Sequence, residues 1–178
     1  MKLHIRENIH ITEQYKSLIE SIFTELLTDT DIVDELTSYI PDFDPNVEYE
    51  DYADNEIVQE IKQDIYNSII RLESDILALP EVRRVEFTKS SHMGLSNYIH
   101  IRFNKPNNAP DSWRHDYKHL YDMNLKVSDH FHFNRPSVTH TLSLLHKDLA
   151  KINEDILDTV NNQIGLIKQA EALIHNYT

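Results

Sequence analysis

The chain has 178 residues, 40% of them hydrophobic, with no cysteine, only two glycines and a formal net charge of −13. These values fit one domain and exclude disulfides, cysteine-ligated zinc and glycine-rich phosphate loops of the Walker type. They also set the chain as a whole against nucleic acid and toward basic partners.

Residues 1–7 lack the apolar core of a signal peptide. No run approaches the ~18 apolar residues of a membrane span. The absence of cysteine suits a reducing, cytoplasmic setting. No cofactor is expected.

In chain order, Tyr15, Leu18, Ile19, Ile22, Phe23, Leu26 and Leu27 recur at helical spacing, which predicts a helix over 12–27 with Thr12 as its N-cap. A second helix is predicted over 30–40, with Ile32, Val33, Leu36 and Ile40 on one side and Pro41 at its end. Residues 41–55 read as a loop. Asp42, Asp44, Glu48, Glu50, Asp51 and Asp54 alternate there with Phe43, Tyr49 and Tyr52. Such a run is either a solvated linker or an arm that docks on a basic partner, the acids steering and the aromatics supplying rigid contact area.

A third helix is predicted over 55–79, with an apolar seam from Ile57 to Leu79 and a stop at Pro80. A fourth is predicted over 137–175, about 57 Å long at 1.5 Å per residue. Its seam steps from Val138 to Ile174 by threes and fours, a heptad-like pattern that suggests coiled-coil packing. Ser137 is its expected N-cap, and Gly165 its weak point.

Between the two long helices the charge changes sign. Residues 82–147 carry ten Lys/Arg against five Asp/Glu, whereas 1–81 carry five against twenty and 148–178 carry two against five. Eight of the eleven histidines fall in the basic segment, so any site of chemistry is sought there first.

That segment reads as β. Alternation over 82–88 sets Val85 and Phe87 against Arg84, Glu86 and Thr88. Over 97–103 it sets Ile99, Ile101 and Phe103 against Tyr98, His100 and Arg102. Over 124–134 it sets Leu125, Val127, Phe131 and Phe133 against Lys126, Ser128, His130 and His132. Asp129 alone breaks this parity, which predicts an edge, a bulge or a buried partner. A short helix containing Trp113 is predicted over 111–123.

The expected fold is α+β in a single domain, 1–178. Acidic helices and a loop occupy 1–54. Long antiparallel helices over 55–79 and 137–175 form a coiled-coil-like stalk, and a small antiparallel sheet over 80–136 is inserted between them as a basic head.

Three chemistries suggest themselves on the polar sheet face. Metal-independent RNA cleavage needs an acid, a base and cations for phosphate; His100, His130 and His132 with Arg102 and Lys126 supply them. An ordinary solvated face is the plain alternative. A zinc site would draw on His130/His132 or His115/His119, but each pair is only half a site, and Asp116 stands where an H-E-x-x-H motif needs Glu. Ser128, Asp129 and His130 are adjacent in sequence, so their side chains diverge along a strand and form no relay.

Ser96-Asn97-Tyr98-Ile99 followed by Lys126-Val127-Ser128-Asp129-His130 resembles a pattern in small phage and plasmid proteins, where a Ser-x-Tyr strand precedes a basic-x-Ser-Asp-His strand. The resemblance covers about 40 residues and is carried by Ser96, Tyr98, Lys126, Ser128, Asp129 and His130. It implies a mobile-element context in a bacterial host, not a mechanism.

In that context the run from Asp29 to Glu60, with twelve Asp/Glu and no Lys/Arg, fits mimicry of nucleic acid. The expected activity is inhibition of a host defence protein that handles nucleic acid, such as a CRISPR effector. Asp42, Asp44, Glu48, Glu50, Asp51 and Asp54 would make the contact, with Tyr49 and Tyr52 as anchors. Two alternatives are a ribonuclease or RNA-binding head, and a structural coiled-coil adaptor that forms a homodimer through 137–175.

Overall fold

The computed structural model describes residues 9–44, 55–89, 96–133 and 140–177, with side chains from Tyr15 onward. The predicted caps Thr12 and Ser137 and the loop acids from Glu48 to Asp54 lie outside the described side chains.

Six α-helices and three strands occur among the described residues: α1 (Ile9–Leu26), α2 (Thr30–Tyr39), α3 (Glu56–Leu77), β1 (Val82–Lys89), β2 (Asn97–Phe103), α4 (Asp111–Tyr117), β3 (Asp122–Lys126), α5 (Val127–His130) and α6 (Leu145–Glu171). Short 3-10 turns at Lys118–Tyr121, Leu142–Leu144 and Ile174–Tyr177 complete the set. The fold is α+β, as composition and periodicity predict.

The caps follow side-chain chemistry. Asp29 accepts from the backbone N–H of Asp31 and Ile32 to start α2, and Asn55 accepts from Ile57 and Val58 to start α3. Each satisfies donors that a helix leaves open at its N-terminus. α2 ends one residue before the Pro41 turn, which Asp42 enters with φ 59°. Asp tolerates that left-handed conformation better than most residues.

The sheet is antiparallel in the order β1-β2-β3. A bulge between Val82 and Arg84 turns both Arg83 and Arg84 outward and lets Val82 join Phe87 in the core. Phe87, Ile99, Ile101, Phe103 and Leu125 are buried on one face. They pack toward α1 and α3, with the Phe87 ring 5.4 Å from that of Tyr15.

Two expectations about the architecture are corrected. The sheet is not a head carried on a stalk: a single buried cluster runs from Tyr15 to Ala170 and includes residues of α1, α3, α6 and all three strands. The long helices are also not antiparallel. Asn153 bonds to Ser68 and, further along, Lys168 pairs with Glu81, so α3 and α6 advance in the same direction.

The cause is the number of strands. β1 leaves the C-terminal end of α3, β2 returns and β3 leaves again. Three passes deliver the chain to the far end, where α6 begins beside α2: the Leu142 N–H donates to Glu35 at 2.8 Å.

The predicted 137–175 helix is shorter, 27 residues from Leu145. Leu145, Leu149, Ile152, Ile156, Val160, Ile164 and Ile167 of its seam are buried within the chain, so that seam is already occupied. Leu166 and Leu173 are exposed.

The third predicted strand is also corrected. β3 ends at Lys126, and Val127–His130 form a single helical turn. Val127 and Phe131 are both buried, and a spacing of four suits a helical turn as well as a strand. The turn explains Asp129, which points to solvent instead of into the core.

Candidate functional site

The polar sheet face forms three cross-strand rows. Arg84, Arg102 and Asp122 make the first, Glu86, His100 and Asn124 the second, and Thr88, Tyr98 and Lys126 the third. Asp122 Oδ1 lies 3.3 Å from His100 Nε2 and 3.6 Å from Arg102 Nε. Arg84 pairs with Glu86 along its own strand. Three permanent cations therefore face two carboxylates, and only Lys126 has no acidic partner among the described residues of these rows.

Of the proposed catalytic set, the structure brings His100, Arg102 and Lys126 onto this face. It does not place His130 and His132 there. His130 sits half-buried in the α5 turn, and His132 is exposed beyond it. The strand on which they would have alternated stops at Lys126. Ser128 and Asp129 share the same turn. The face therefore holds one imidazole instead of the three in the expected catalytic set, and any second acid or base on it would be a carboxylate, Glu86 or Asp122.

His115 and His119 are both exposed, but α4 ends at Tyr117 and a 3-10 turn follows. The two do not share one regular helix. Among the described residues no three His, Asp or Glu side chains are grouped as metal ligands.

The acidic segment is a surface. Asp31 and Asp34 on α2, Asp42 and Asp44 in the following turn, and Glu56 and Glu60 on the first turns of α3 are all exposed. Asp29 is buried and Glu35 is half-buried on Leu142. Glu56 and Glu60 are four residues apart and so share one face of α3. The aromatic between Asp42 and Asp44, Phe43, is buried in the core and anchors the turn instead of offering contact area.

Three features escape the sequence. His140, 1% exposed, has Nδ1 3.6 Å from a carboxylate oxygen of Asp29 and 3.6 Å from one of Asp148. This trio ties the α2 cap to the first turn of α6. Asn153 is buried in the α3–α6 seam, donating through Nδ2 to the Ser68 carbonyl at 3.0 Å and its hydroxyl at 2.9 Å. Its only signal in sequence is a polar residue beside the seam positions Ile152 and Ile156.

The third is the corner where α4 and the next 3-10 turn meet α6. Trp113 Nε1 donates to the Ala170 carbonyl at 2.8 Å, Gln163 to the Leu120 carbonyl at 2.7 Å and the Tyr121 hydroxyl to Glu171 at 2.9 Å. Burial, then the Glu171 carboxylate, pushes the Tyr121 phenol pKa well above its ordinary value; Tyr15, buried and donating to Glu73, is raised in the same way.

No family model, curated protein or solved structure matches this chain. No helix among the described residues is long and apolar enough to cross a membrane.

Proposed function

We propose that this chain is a mobile-element protein that works by binding. It docks its acidic surface on the cationic groove of a host protein that handles nucleic acid, and so inhibits it. The observation that carries the reading is the exposure of Asp31, Asp34, Asp42, Asp44, Glu56 and Glu60 within a stretch of twelve acids and no Lys or Arg. Clustered carboxylates present a negative potential that a nucleic-acid groove is built to receive, and they speed the encounter at low salt. The resemblance of Ser96–Ile99 and Lys126–His130 to phage and plasmid proteins favours a CRISPR effector in the bacterial cytoplasm as the partner; it rests on sequence alone, since Val127–His130 form a helical turn here. The acids from Glu48 to Asp54, with Tyr49 and Tyr52, would extend the contact.

Charge changes at exposed positions test it. Asp34→Lys, Asp44→Lys and Glu60→Lys are combined with Asp42→Asn, which keeps a residue suited to the positive φ. This variant should fold normally and lose inhibition of target-DNA binding by CRISPR ribonucleoproteins. Undiminished inhibition by the variant would reject the acidic surface as the contact.

A second reading is favoured by Tyr98, Arg102 and Lys126 on one sheet face. Tyr98 would stack on a base and the cations would hold phosphates of single-stranded RNA. RNA retained by the wild type but not by Tyr98→Ala with Lys126→Glu would support it. Cleavage that survives loss of His100 would set aside the ribonuclease form of this reading.

A further inference from the structure

The corner beside α4 holds a cavity of about 330 Å³, of a size that accepts a small ligand. Lys105, Arg114, His115 and Lys118 line it, with Asp111 as the one carboxylate. In a chain of net charge −13, such a gathering of cations is local and specific.

Arg114 is the fixed member. Its Nε donates to the Ala109 carbonyl at 2.9 Å, and one terminal nitrogen donates to the Pro106 carbonyl at 3.0 Å and the Asn107 carbonyl at 3.2 Å. These bonds lock the guanidinium in place but do not neutralise it, because carbonyls carry no charge. No carboxylate pairs with it among the described residues. The guanidinium thus keeps its full charge at the cavity in a fixed position, ready for an anion. Lys105 and Lys118 are exposed at the same cavity and form no ion pair among the described residues.

The walls select the size of the anion. Pro106 supplies part-exposed apolar surface backed by the buried Trp113 and Tyr121 rings, and the volume exceeds what a bare inorganic anion fills. The remaining terminal nitrogen of Arg114, with two lysine point charges, suits a phosphate, which offers several acceptor oxygens and up to two charges. We propose that this cavity binds the terminal phosphate of a nucleotide-sized ligand, with Arg114, Lys105 and Lys118 on the phosphate and the apolar wall against the organic part. Two sources carry such a phosphate, a free nucleotide and the 5′ end of an RNA strand. The site is separate from the acidic surface and does not rest on it.

Trp113 is the sole tryptophan of the chain and is buried directly behind the cavity, so a change in its fluorescence is a readout of occupancy, confirmed by isothermal titration calorimetry. The full chain is titrated at constant ionic strength with uridine 5′-monophosphate, uridine, inorganic phosphate and a short RNA with or without a 5′-phosphate. Saturable binding of the monophosphate and no response to uridine are expected. The Lys105→Glu, Lys118→Glu double variant, both positions being exposed, should weaken binding at least about tenfold while its far-UV circular dichroism is unchanged. Tighter binding of the 5′-phosphorylated RNA than of the monophosphate, lost without the 5′-phosphate, identifies a strand end as the source; the reverse order identifies the free nucleotide. Lys118→Gln gives the same reading with a milder change should the double variant fold poorly. Equal responses to uridine and its monophosphate, no saturable response to either phosphate ester, or binding unaffected by the lysine substitutions would each overturn the proposal.

Discussion

Asp29 performs two tasks that substitution can separate. Its Oδ1 accepts from Asp31 N at 2.9 Å and from Ile32 N at 3.3 Å, capping α2. Its Oδ2 faces the buried His140 ring at 3.6 Å. Asp29→Ala removes both. Loss of the cap costs about 1 kcal/mol. The substitution also takes away one of the two carboxylates that face the buried His140 ring at the same distance, a loss of about 1–2 kcal/mol at a buried polar group. The sum, about 2–3 kcal/mol, lowers the Tm by about 4–12 °C for a chain of this length. Asp29→Asn keeps an amide oxygen at the cap and should spare about 1 kcal/mol of that loss. Urea unfolding followed by far-UV circular dichroism measures both variants. Equal losses in Asn and Ala would refute the capping role, and losses below about 0.5 kcal/mol in both would refute the junction altogether.

Other outcomes follow from the same contacts. The Tyr15 and Tyr121 phenols have folded pKa values raised by burial and by the carboxylates they donate to. The folded state thus holds these protons after the unfolded state has released them near pH ~10. Their contribution to stability is complete below that pH and is lost as pH rises toward the folded value. Tyr15→Phe with Tyr121→Phe should flatten the loss of stability above pH ~10, and an unchanged slope would contradict the assignment. Asn153→Leu gives up two hydrogen bonds, about 1 kcal/mol each, but removes a buried Oδ1 that has no partner among the described residues and adds apolar burial. It should leave the midpoint of unfolding unchanged or raised; a loss above about 2 kcal/mol would show that the amide matters more than its bonds suggest. Because the α6 seam is buried within the chain, light scattering should give the monomer mass of 21.0 kDa, and a dimer at micromolar concentration would point to Leu166 and Leu173.

Helices were the most legible part of the sequence because their apolar positions repeat over many turns. The seam from Val58 to Ile76 and that from Leu145 to Ile167 are both buried as their spacing predicts. Parity also placed Tyr98, His100 and Arg102 opposite Ile99, Ile101 and Phe103, since a strand of seven residues leaves little choice. It misled beyond Lys126, where Val127 and Phe131 fit both a strand and a helical turn; Asp129 was the residue that signalled the break. The relative direction of α3 and α6 was illegible because it depends on how many strand passes lie between them. The His140 trio and the Arg114 cavity were illegible because they join residues from separate elements, and no local period reports a tertiary meeting. For the acidic surface, charge alone identified the segment, but only the fold shows that Phe43 turns inward while Asp42 and Asp44 stay exposed.

The most direct test of the proposed function is competition. A labelled target duplex is bound to a CRISPR ribonucleoprotein, the protein is titrated in, and displacement is read by fluorescence anisotropy at two salt concentrations. An acidic surface in a nucleic-acid groove predicts displacement of the duplex, weaker at high salt and absent in the variant carrying Asp34→Lys, Asp42→Asn, Asp44→Lys and Glu60→Lys. A ternary complex that retains its duplex, or displacement that the variant performs equally well, would contradict nucleic-acid mimicry by this surface.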